Sequence, residues 1–171
     1  MGNILSLKPG HVVGVLLLLL SIVLFKGCNR TPPEYEVFFT QDWDTQEKQA
    51  KAFPIEKQIE YCLAGRRYVH PPNHIVFYII ADQGKAAVPS VIERMKHAED
   101  SDKFELLDLI HNIHQFHDDL STDKQVIDQL TTIVAGMTDA YRKGKAEAML
   151  TDIKRPPDRK RPGLFGARSQ R

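Results

Sequence analysis

A run from Val12 to Phe25 is apolar but for Ser21, and the chain then turns polar at Asn29, Arg30 and Thr31. As a helix, a run of about 14 residues rises about 21 Å, against about 30 Å of bilayer hydrocarbon. That length suits the apolar core of a secretory signal better than a complete span. Residues 1–27 therefore read as a signal peptide or membrane anchor. Residues 28–44, with Pro32, Pro33, Tyr35, Phe38, Phe39 and Trp43, read as a tether whose aromatic side chains lie partly against the domain that follows.

From residue 45 the apolar spacing is helical, and the expected class is all-α, built of antiparallel helix pairs. Ile55, Ile59, Cys62 and Leu63 mark one face, with Pro54 suited to a first turn and Pro71-Pro72 as the stop. Asn73 caps a segment carrying Ile75, Val76, Ile79 and Ile80 that ends at Gly84; its β-branched content also fits a strand. Val88, Val91, Ile92 and Met95 follow Pro89 in a third helix. Ser101-Asp102 open a fourth, with Asp102 and Glu105 at capping-box spacing and with Phe104, Leu107, Ile110, His111 and His114 on its apolar face. Ser121 or Thr122 caps a long fifth helix running through Met137 and Tyr141. It is interrupted at Gly144 and continues through Met149, Leu150 and Ile153, so the helical domain is expected to span 45–153.

Two family resemblances follow from these residues. Gly27-Cys28 after an apolar run resembles the lipobox of bacterial lipoproteins, in which a small residue precedes a cysteine that is acylated and becomes the mature N-terminus. The resemblance implies lipidation at Cys28 and a chain held at the cell or outer membrane, facing the periplasm or exterior. An uncleaved single-pass anchor, soluble secretion and N-myristoylation at Gly2 remain alternatives. The joint Ile80-Ala81-Asp82-Gln83-Gly84-Lys85-Ala86-Ala87-Val88-Pro89 resembles the turn of HEAT-like repeats, where Gly closes one helix, small residues follow and Pro enters the next. With helix pairs beginning near 54, 86 and 122, this implies a HEAT-like α-α superhelix; an irregular helical bundle is the other arrangement that fits.

Charge divides the chain unevenly. Residues 154–171 carry seven basic residues against Asp158 alone, a net +6 on a chain of net +1, so the rest carries −5. Pro156, Pro157, Pro162, Gly163 and Gly166 oppose a helix there. A flexible basic tail is expected, in which Lys154, Arg155, Arg159, Lys160 and Arg161 are candidate contacts to an acidic partner, to anionic lipid or to the acidic body itself. Nucleic acid is not an expected partner of an exported chain. Two cysteines are too few for a disulfide framework; Cys62 reads as a buried apolar residue, with a Cys28–Cys62 disulfide open only if Cys28 is not acylated.

Candidate chemistry is sparse. His111, His114 and His117 precede Asp118-Asp119, and two of these histidines with Asp118 could meet one metal ion; His111, His114 and Asp118 are the candidate ligands. A turn of about 100° per residue separates His111 and His117 widely, so a buried polar role near a helix end competes with that reading. The sequence holds no phosphate loop, no nucleophile elbow and no His-Glu-x-x-His motif. The expected function is a protein-binding or scaffolding module without cofactor or catalysis, possessing a helical-repeat surface that neutralises or assembles another protein. The competing class is a metal-binding protein or metal-dependent enzyme using the histidine cluster.

Overall fold

Proline at the first helical position costs nothing, because its missing N–H would be unpaired there, and Pro33 starts the first helix of the computed structural model, which describes residues 31–158. Eight α-helices follow in order: α1 Pro33–Phe39, α2 Trp43–Ala52, α3 Ile55–Tyr68, α4 Ile75–Ala81, α5 Val88–Lys96, α6 Asp100–Phe116, α7 Lys124–Ala135 and α8 Ala140–Ile153. A 3-10 turn, Gly84–Ala86, joins α4 to α5. The described residues hold no strand, and the class is all-α.

The compact unit begins at Pro33, so the stretch expected to be a tether belongs to the domain from that residue on. The reason is aromatic packing. Phe38 is buried, and its ring meets Tyr61 of α3 at 4.9 Å between centroids; Tyr35 and Phe53 close on the same ring at 5.0 and 5.1 Å. Edge-on aromatic pairs add about 0.5–1.5 kcal/mol each beyond area burial, enough to fold a short aromatic segment onto α3. Trp43, at the start of α2, stays half-exposed.

The helices pack in two layers. Odd-numbered helices contact in succession, α1 on α3, α3 on α5 and α5 on α7, and even-numbered ones do the same, α2 on α4, α4 on α6 and α6 on α8. Pairs α3–α4, α5–α6 and α7–α8 bridge the layers. Between them lies one apolar core that includes Ile59, Ile80, Val91, Met95, Leu107, Ile110, Leu130 and Ile153. The segment that fitted either helix or strand is α4, buried at Ile75, Val76, Phe77, Ile79, Ile80 and Ala81. A helix enclosed on most sides needs no polar face, so its β-branched run carries no alternation to read.

Helix ends differ from expectation in three places. Glu99, not Ser101, precedes α6, and Asp102 is withdrawn from capping to face arginines. The cap of α7 is Asp123, whose side chain accepts from the Val126 N–H, rather than Ser121 or Thr122. The expected long fifth helix breaks at Gly136–Asp139, and Gly144 lies inside α8. The break is held from a distance: Asp100 accepts from the N–H groups of Thr138 at 2.6 Å and Asp139 at 2.8 Å. Those two donors hold its carboxyl well below the usual carboxylate range. Gly84 ends the α4 segment as expected, at φ +60, in the left-handed region where glycine is unstrained.

Among the described residues no single helix is long and apolar enough to cross a membrane. Only the bent pair Ile75–Ala81 and Gly84–Lys96 passes by composition, and its apolar residues fill the core. The apolar run at 12–25, with Cys28, lies outside the described residues.

Candidate functional site

Helix α6 carries both faces of the site. Leu106, Leu107, Leu109, Ile110, Ile113 and His114 are buried against the core. Opposite them runs a polar stripe through Asp102, Glu105, Asp108, Asn112 and Gln115, at the three- and four-residue spacing that aligns side chains on a helix.

The first half of the stripe is a charge ladder. Arg67 of α3 reaches Asp102 at 2.5 Å, and Arg94 of α5 approaches its other oxygen at 3.7 Å. Arg66 of α3 pairs with Asp108 at 3.1 Å and lies against Glu105 without the alignment of a hydrogen bond. Its guanidinium stacks 5.3 Å from the Phe77 ring of α4. Burial raises the Glu105 carboxyl above its ordinary value, and Arg66 opposes that shift. Burial also pushes His74, at the start of α4, downward, and the Arg66 charge adds to the effect. This ladder neutralises three carboxylates with three arginines and welds α3, α5 and α6 together.

The second half of the stripe is open. Asp108, His111, Asn112, Gln115 and Phe116 of α6 face Asp152, Arg155, Pro156 and Asp158 at and beyond the end of α8, across a cleft of about 650 Å³. Phe116 is 50% exposed at its edge, an uncovered large apolar side chain on an otherwise polar wall. His111 Nε2 stands 3.8 Å from an Asp152 carboxylate oxygen.

The histidine cluster does not assemble. His111 turns to Asp152, whereas His117 lies 3.9 Å from Asp82 at the α4 end. Fully buried His114 accepts at Nδ1 from the Leu120 N–H at 3.1 Å, which places the neutral ring's proton on Nε2. Burial pushes its pKa down, against the Arg155 backbone and the Asp119 carboxylate. Asp118 is taken up elsewhere, its carboxylate accepting from the Lys85 N–H at 2.5 Å in the turn beside Gly84. Among the described residues no group of three metal-capable side chains gathers; helical twist and competing backbone donors part the candidates His111, His114 and Asp118.

Of the basic tail, Lys154 caps the end of α8 and Arg155 lines the cleft, both exposed. Arg159, Lys160 and Arg161 lie outside the described residues. Cys62 is a free thiol, buried in α3, and burial pushes it up to about 12. The cleft, Asp108 included, escaped sequence reading, because half of it is supplied by α8 and the residues after it, some 40 residues later. Comparison of the chain with known protein families, with curated proteins and with solved structures finds no match.

Proposed function

We propose that this chain is a lipid-tethered envelope protein, acylated at Cys28, whose helical domain binds another protein through the cleft between α6 and α8. The observation that carries the reading is that cleft: a polar wall with one exposed aromatic, between the last two helices of the even-numbered layer. Buried surroundings and exposed aromatic anchors are the usual ingredients of a binding hot spot. The successive packing of odd with odd and even with even helices supports a HEAT-like α-α superhelix of four pairs, an architecture that offers one layer as an extended binding surface.

The test has two arms in intact cells. Metabolic labelling with a fatty acid should mark the wild-type chain and not Cys28→Ala, which should also leave the membrane fraction; equal labelling and retention would sink the lipid and leave an uncleaved anchor. A photo-reactive residue at position 116 should give one discrete adduct with another protein, lost when Asp152 is changed to Lys. Diffuse adducts, unaffected by that change, would overturn the cleft as the binding surface.

A further inference from the structure

The last residues with a described position deliver the chain into the cleft. Arg155, Pro156 and Asp158 line it, and Pro157 between them is half-buried. The sequence continues with Arg159-Lys160-Arg161 and then Leu164-Phe165, and residues 159–171 contain five basic side chains and no acidic one. The wall they would meet carries Asp152, its side chain 56% exposed, and the uncovered Phe116 ring, beside an Asp108 that Arg66 already holds.

We propose that the cleft between α6 and α8 is occupied in the resting chain by its own basic segment, residues 159–171, with the basic triplet against the carboxylates and Leu164-Phe165 against Phe116. Three observations favour this occupant over another. Charge is complementary, since Asp152 presents a side chain 56% exposed at the cleft while Asp108 is already balanced by Arg66, and the segment brings five positive charges and no negative one. Reach is sufficient: Asp108 and Phe116 are eight residues apart on one helix, about 12 Å, whereas the six steps from Arg159 to Phe165 span about 20 Å when extended. Continuity removes most of the association cost, because a segment joined directly to the cleft rim is held there at millimolar effective concentration, on the order of that for short linkers. A partner protein would then have to displace the segment, which makes it a built-in competitor. The inference uses the cleft of the proposed function, but neither the lipid tether nor an outside partner.

A photo-reactive benzoylphenylalanine at position 165 of the full chain tests it. At about 0.15 M salt the main product should have monomer mass and join position 165 to α6 or to the end of α8. Its yield should fall about fivefold at 1 M salt, where screening shortens to about 3 Å, and similarly in Asp152→Lys. Adducts to lipid, to a second copy or to another protein, or a salt-insensitive yield, would overturn the proposal. As a second readout, a labelled peptide of residues 159–171 should bind a chain ending at Asp158 about tenfold more tightly than the full chain, whose cleft is already filled. Equal binding would overturn self-occupancy. A discrete partner adduct at position 116 with no intrachain product from 165 would sink only this inference, and the reverse pattern would sink only the partner.

Discussion

Burial decides the chemistry of the two most reactive side chains. With its thiol pushed up to about 12, Cys62 has no thiolate at neutral pH. In Cys28→Ala, which leaves Cys62 as the sole thiol of the sequence, a disulfide reagent should react with nothing until denaturant is added and then with one equivalent; prompt reaction in buffer would contradict the buried placement. His114 is neutral because its ring is enclosed and Nδ1 is already committed to the Leu120 N–H. The groups facing it are Asp119 from the following loop, His111 on its own helix, the Asp152 backbone of α8 and the Arg155 backbone just past its end. A histidine with a lowered folded pKa binds its proton more readily when unfolded. Its stabilisation is therefore full above the unfolded value of about 6.5 and is lost as pH falls below it. Chemical denaturation between pH 7 and 5 should show stability falling by up to about 1.4 kcal/mol per pH unit for this one proton. His114→Gln should remove most of that slope; an unchanged slope would assign it to other groups.

Turns carry the long-range order among elements. Gly84 holds φ +60, and a Cβ there would run into the Asp118 carboxylate that accepts from Lys85. Lys85 also pairs with Asp123, the α7 cap, at 2.8 Å, so one turn in the α4–α5 joint fastens the loop between α6 and α7. Gly84→Ala should cost at least about 1–2 kcal/mol for the left-handed backbone alone, with more from the collision. In an Asp118→Ala background only the backbone part should remain, and a double-mutant cycle from urea melts reads the difference. Gly144 gives the contrast: it sits in α8 with nothing within 4 Å of a would-be Cβ. Gly144→Ala should stabilise by about 0.5–1 kcal/mol, through helix propensity alone.

The aromatic clasp of α1 extends the folded unit beyond the helical periodicity. Phe38 is buried at 3% exposure among Phe39, Phe53 and Tyr61. Phe38→Ala should cost about 3–5 kcal/mol, a large part of the 5–15 kcal/mol typical of a domain. A chain beginning at Thr31 should melt like the full-length protein, whereas one beginning at Thr45 should melt far lower or not cooperatively. Similar melting of the two shortened chains would return residues 33–44 to the tether.

Apolar spacing determined the all-α class and the buried faces of α3, α5 and α6, and Gly84 by its own identity marked the closure of the α4 segment. These are local outcomes, in which a period of about 3.6 residues or a single φ is written in neighbouring side chains. Residues 33–39 looked like linker because one short aromatic segment has no period to show, and only Tyr61 of α3 makes it structure. Asp102 has the spacing of a cap, yet Arg67 and Arg94 reach it first, and a buried carboxylate is stabilised more by two cations than by one backbone N–H. The break after α7 is marked by Gly136 but depends on Asp100, 38 residues earlier, to hold the Thr138 N–H. His111, His114 and Asp118 sit together in sequence and apart in space because each finds a nearer partner on a different element. The α6–α8 cleft is likewise a product of packing: its walls are distant in the chain, and only the layering of even-numbered helices brings Asp108 and Phe116 opposite Asp152.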